Sequence, residues 1–244
     1  MLALALFSRY GAIFLARYAH YLTGITWIGL LYYFNFVQTP AFATFDAPAR
    51  TEAISKLVPR ALWWFRWAAV FTVLSGFAVL IAQENFKHGY MKTPAGASIQ
   101  TGMLLGLIML GNVWGVIWRN QKIVIKSAQG VMEGQAALPE AADAGRRAAL
   151  ASRTNAVFSI ALLFFMAFTS RVPTLFGDKA TTHMGLWWGP VGIVILLMEL
   201  NGLGVIAGIS PGPTKKYLEK HTTAIATGFG LAIAFYFWFE VAFG

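Results

Sequence analysis

Long apolar runs recur along this chain, separated by charged connectors, and that pattern decides the class of fold before any other feature. A helix crossing about 30 Å of hydrocarbon at about 1.5 Å per residue needs about 20 mostly apolar residues. Six stretches qualify, near 11–38, 67–84, 100–118, 154–172, 186–208 and 222–243. The chain therefore reads as all-α, one integral-membrane domain over 1–244: a polytopic bundle of about six transmembrane helices. Composition agrees. Only 12% of residues are charged, against about 25% in soluble domains, too few to coat a water-facing surface. An aromatic fraction of 15% excludes a disordered chain.

The first run is long, and Arg9 and Arg17 interrupt residues 2–16, so it is expected to open with an interfacial segment. It lacks the basic start and small-residue cleavage site of a signal peptide. Residues 39–66 form a connector holding Pro40, Pro48 and Pro59. Residues 119–152 are expected to be a solvated helix or loose loop. Ser210-Pro211-Gly212-Pro213 ends the fifth span and leads into a lysine-rich turn.

The 19 Lys and Arg residues exceed the 10 acidic ones, but they fall between apolar runs. They act as topology signals, and no nucleic-acid partner is expected. Arg50, Lys56, Arg60, Arg66, Arg119, Lys122, Lys126, Arg146, Arg147, Arg153, Lys215, Lys216 and Lys220 lie in the odd loops. Only Arg9, Arg17, Lys87, Lys92, Arg171 and Lys179 lie on the other side. The positive-inside rule puts the odd loops in the cytoplasm and both termini outside. Trp63, Trp64, Trp67, Trp118, Trp187, Trp188 and Trp238 gather near span ends, as interfacial anchors do.

Ionisable groups in hydrocarbon cost about 2.5–3.5 kcal/mol on insertion scales, so they are functional candidates by default. In span one, Arg17, His20, Gly24, Trp27, Leu31, Asn35 and Gln38 share a helical face, which should point into the bundle. Gly24, one turn beyond His20, leaves room for a flat macrocycle. His20 is thus a candidate ligand to haem iron; the alternative is an interhelical hydrogen bond. His183, just before span five, is the expected second ligand. His221 would need a displaced first span, and His88 is expected in a solvated turn. A less favoured alternative is copper, held by the outer histidines with Met184.

Glu199 shares a face with Trp188, Gly192, Ile195, Gly202 and Ile206 and should point inward. It is a candidate proton-handling residue, pairing with a cation such as Arg153 or Arg171, or a protonated packing group. Asn35, Asn112 and Asn201 add buried amides, whereas Glu240 is expected at an interface. Gly102, Gly106, Gly111, Gly228 and Gly230 are expected to permit close helix approach. There is no cysteine, hence no thiolate chemistry and no c-type haem attachment. No P-loop, Ser/His/Asp set or paired-carboxylate site has usable spacing.

Several segments carry a resemblance. Leu-Trp-Trp-Phe-Arg-Trp at 62–67 leads to Leu-Ser-Gly-Phe at 74–77. Ile-Gln-Thr-Gly-Met-Leu-Leu-Gly-Leu-Ile-Met-Leu-Gly-Asn-Val-Trp-Gly-Val-Ile-Trp-Arg-Asn-Gln fills 99–121. Ser-Arg-Thr-Asn at 152–155 precedes Leu-Phe-Phe-Met at 163–166. Over about residues 18–240 this order resembles the membrane domain of the bacterial membrane-bound urate hydroxylases. The stretch from His20 to Gly29 also looks like the first helix of copper-resistance-D-like and haem-binding membrane proteins, where such a histidine is a haem b ligand.

The resemblance implies a bacterial inner-membrane oxidoreductase passing electrons from a purine to a cytochrome c domain. Here Ala68 stands where the family pattern has an acidic residue, and Ser170-Arg171 where it has a histidine. The chain reaches Gly244 without a Cys-X-X-Cys-His motif, so a separate c-type cytochrome is the expected acceptor. Three functions follow as expectations. The first is a haem b redox protein. The second is a non-catalytic accessory subunit of a larger membrane complex. The last is a transporter dependent on Glu199.

Overall fold

The computed structural model describes residues 8–87 and 89–244, and these are helical with no strand among them. The expectation for His88 and the apolar start at 2–7 lie outside the described residues. In chain order the α-helices are α1 Arg9–Tyr32, α2 Thr39–Phe42, α3 Ala47–Lys56, α4 Val58–Ala82, α5 Pro94–Gly111, α6 Trp118–Met132, α7 Ala141–Phe168, α8 Val172–Phe176, α9 Met184–Gly202, α10 Lys216–Glu219 and α11 His221–Phe243. Two π-helical turns, Tyr33–Gln38 and Asn112–Ile117, join α1 to α2 and α5 to α6 without a break.

Local chemistry sets the helix starts. The side chains of Ser8, Asp46 and Thr93 accept from the backbone N–H groups of Gly11, Ala49 and Gly96, capping α1, α3 and α5. Pro48, Pro59 and Pro94 each sit in a first turn, where their missing N–H costs no helical bond. Pro190, inside α9, is different. It cannot donate to the carbonyl of Leu186, and the indole Nε1 of Trp238 on α11 donates there instead, at 3.0 Å.

Five helical segments are long and apolar enough to cross a membrane: Val58–Ala82, Pro94–Met132, Ala141–Phe168, Met184–Gly202 and His221–Phe243. The chain is an integral-membrane helical bundle. The expected first span is helical throughout and 24 residues long in α1 alone. It stands outside that set because Arg9, Arg17, His20 and a succession of tyrosines lower its hydropathy. Boundaries shift elsewhere too. Span two begins at Val58 rather than near 67. The 119–152 connector is mostly helix, split between α6 and an early start of α7. Span five stops at Gly202, where Gly204, Ala207 and Gly208 turn the chain with positive φ.

Helix α7 is the hub. In its most apolar stretch 61% is buried, against 22% for α9. Helix α1 runs antiparallel to α4: Arg9 meets Ala82, His20 meets Thr72, and Phe34 meets Phe65. Phe165 and Phe168 of α7, Phe176 of α8, Trp187 of α9, and Phe235 and Phe239 of α11 form one aromatic core. Gly228 brings α11 close to α7, since a Cβ there would lie 2.6 Å from Cδ1 of Ile160. Gly102 is similarly crowded by Met166, whereas Gly106 has ordinary contact. Gly111 and Gly230 face open space and play no such part.

Candidate functional site

His20 lies in the seam between α1 and α4. Its Nδ1 is 2.8 Å from the carbonyl oxygen of Thr72. A carbonyl only accepts, so Nδ1 carries a proton and donates it. Ser75 Oγ stands 3.4 Å from the same nitrogen. Gly76 allows the ring to lie against α4, since a Cβ there would be 3.1 Å from Cε1 of His20. At Gly24 the neighbour is Cγ2 of Thr72, in ordinary contact 3.8 Å from where a Cβ would stand. The polar stripe does turn inward from His20 onward: Trp27, Leu31 and Asn35 are buried, while Arg17 is exposed.

His183 is exposed at the start of α9, and its Nδ1 donates to the carbonyl of Ala242 at the end of α11, at 3.1 Å. The His20 ring is tied to α4 and the His183 ring to α11. His221 lies beside Phe36, with ring centroids 6.4 Å apart. Among the described residues no three His, Cys, Asp or Glu side chains gather as a metal site.

These distances test the fit of haem b. The donor chemistry of His20 fits an axial ligand, whose second nitrogen characteristically donates to a carbonyl or carboxylate. His20 is oriented by α4 and His183 by α11, each through its Nδ1. Two pockets have walls that include neither histidine. One, of about 440 Å³, is lined by Phe164, Phe168, Phe229, Ala232, Ile233 and Tyr236. The other, about 80 Å³, includes Asn35, Gln38, Gln121, Ser152 and Arg153 in its wall.

Glu199 points inward and accepts from Asn112 Nδ2 at 3.1 Å. The same amide donates to Asn155 Oδ1 at 2.8 Å, and Asn155 Nδ2 donates to the carbonyl of Met109 at 3.0 Å. Neither expected cation reaches Glu199. Arg153 instead donates to the carbonyls of Leu218 and Glu219, and Arg171 is exposed. Both π-turns carry an asparagine that reaches α7: Asn112, and Asn35, which donates to Ser152 Oγ at 2.8 Å. Such turns re-aim side chains and are frequent at functional sites.

Two cations counted as loop charges are buried. Lys215, 1% exposed, donates through Nζ to the backbone carbonyl of Asn201, to Asn201 Oδ1 at 2.6 Å and to the carbonyl of Ile206 at 3.1 Å. Burial pushes its ammonium below the usual lysine range. Arg66, 8% exposed, stacks 3.3 Å above the ring centre of Trp118 and 5.4 Å from that of Trp114. The only sequence signal was its position two turns inside an apolar run. Beside α10, Arg146 makes a two-pronged pair with Glu219, at 2.5 and 3.0 Å, and holds that carboxyl below its usual range.

No protein-family model, curated protein or solved structure matches this chain, so the likeness to membrane-bound urate hydroxylases stands on the quoted motifs alone.

Proposed function

We propose that this integral-membrane bundle is a redox protein of urate-hydroxylase-like type, in which His20 is an axial ligand of haem b and electrons leave to a separate c-type cytochrome. One observation carries this: the 2.8 Å bond from Nδ1 of His20 to the Thr72 carbonyl. With Nδ1 donating to that carbonyl, Nε2 is the nitrogen left to bind a metal. Haem held through that nitrogen would supply a one-electron carrier. The chain's own part is to set the ring: Thr72 orients it and Gly76 gives it room. Glu199, held by Asn112 in a buried amide network, is the group suited to take up or release a proton.

The test is an optical spectrum of the purified protein. A Soret band that shifts on dithionite addition is expected, lost in His20→Ala and kept in His183→Ala. A colourless preparation from haem-replete cells overturns the proposal.

A second function, a structural subunit of a larger membrane complex, is favoured by the outward face of α1. Arg17, Tyr10, Tyr18 and Tyr21 are all exposed there. A cation and three hydroxyls suit a protein neighbour better than hydrocarbon. Native electrophoresis after mild solubilisation decides it: a larger complex is expected, and a solitary haem-bearing chain refutes it.

A further inference from the structure

The Arg66 guanidinium is enclosed, charged and unpaired. Its Nε and NH1 are shut away from solvent without a hydrogen-bond partner. Among the described residues no carboxylate forms an ion pair with it. Its neighbours make the imbalance worse. Trp114 Nε1 is a second buried donor without an acceptor. On the Trp118 indole, which Arg66 covers, sits a second cation, Lys122 Nζ, 5.7 Å from the ring centre. Lys122 is exposed, so the two charges span from the buried seam to the surface.

Indole faces attract cations only weakly. That is too little to offset an arginine withdrawn from water, and the π-face offers no acceptor to its N–H groups. A buried charge left unpaired costs several kcal/mol. An anion with several acceptor oxygens would pair the guanidinium and balance Lys122, the two cations on the Trp118 ring. Phosphate has this chemistry, and arginine is its characteristic partner.

The location narrows the source. Arg66 lies two turns inside α4, beside Trp63, Trp64 and Trp67, all exposed. Exposed tryptophans of this kind mark the headgroup layer. Arg119, Lys122 and Lys126 follow on α6, at the same end of the bundle as Lys56 and Arg60. Basic pockets between transmembrane helices at such a level bind anionic lipid headgroups.

We propose that Arg66, Lys122 and the Trp118 indole form a binding site for a phosphate group, supplied by an anionic phospholipid headgroup. This site is independent of His20 and of any redox role.

Native mass spectrometry of the delipidated protein, titrated with dioleoyl phosphatidylglycerol or dioleoyl phosphatidylcholine, tests it. Phosphatidylglycerol should bind about tenfold more tightly, as expected for one charge-assisted contact of about 1.4 kcal/mol. That preference should fall severalfold in Lys122→Gln, whose side chain is exposed and outside the packing, and vanish in Arg66→Gln. If Arg66→Gln fails to fold, the Lys122→Gln result stands alone. Inorganic phosphate is the competing arm. Displacement of the lipid by millimolar phosphate supports the phosphate site but assigns it to a soluble ion. Equal binding of the two lipids, or a preference unchanged in Lys122→Gln, overturns the proposal.

Discussion

Gly228 and Gly230 are two residues apart on α11 and make opposite predictions when changed to alanine. Removing a glycine from a helix interior favours the helix by about 0.5–1 kcal/mol at either position. At Gly230 nothing lies within 4 Å of the new Cβ, so Gly230→Ala should show that gain undiminished. At Gly228 the Cβ would stand 2.6 Å from Cδ1 of Ile160, 3.1 Å from its Cβ and 3.0 Å from the carbonyl of Val157. The first atom can swing away, but the last two belong to the frame of α7. The helices must separate by several tenths of an ångström, which at overpacked sites costs about 1–3 kcal/mol. Gly228→Ala should therefore be less stable than Gly230→Ala by about that amount. Reversible unfolding in mixed micelles with increasing dodecyl sulfate, followed by tryptophan fluorescence, measures the difference. Equal midpoints for the two variants would show that α11 does not approach α7 as closely as described and would refute the reasoning.

Lys215→Met removes the donor from three oxygens of Asn201 and Ile206; leaving buried acceptors unpaired should destabilise the protein by about 1–3 kcal/mol in the same assay. The Glu219 carboxyl is held low by Arg146. Its stabilisation should be fully present above the unfolded value of about 4.3 and lost as pH falls through the lower folded one. Thermal midpoints should thus drop at acid pH in the parent and drop less in Glu219→Gln; parallel pH curves would exclude this pair from the acid sensitivity. The chain has no cysteine, so single cysteines report topology without background. An impermeant maleimide on intact cells should label Lys179→Cys and spare Lys126→Cys, and the reverse pattern would invert the bundle.

The helical class was legible because a run of about 20 apolar residues has few other structures open to it. The inward stripe from His20 to Asn35 was legible for a similar reason, since helical periodicity alone sorts one face from another. Partners were not legible. Periodicity says that His20 and Glu199 point inward, but not that the first meets a backbone carbonyl of α4 or the second an amide of the second π-turn. Those contacts depend on helix order around α7, which no local pattern encodes. The two π-turns were also hidden. The first precedes Pro40, whose missing N–H disturbs the ladder, but the second has no proline and is set by tertiary contacts of Asn112. Arg66 and Lys215 were misread as loop charges because a charge count ignores depth.

That misreading bears on orientation in a way that leaves the expected sidedness in place. Charge acts on topology while the chain inserts, before the bundle closes. At that stage Arg66 and Lys215 are ordinary cations at the ends of apolar runs, and both count. Only later do they serve packing, one against an indole and the other as the terminal acceptor-filler of α9. The alternation of α4, α5, α7, α9 and α11 is set by five spans whose length and composition suffice on their own. Helix α1 does not enter that alternation. Its antiparallel pairing with α4 fixes which way it runs, with Arg9 at the Ala82 end. That the basic connectors share one side thus follows from the five spans, and α1 decides only where the N-terminus lies. An α1 that crosses the bilayer shares the span of α4 and puts Ser8 on the side opposite the basic connectors.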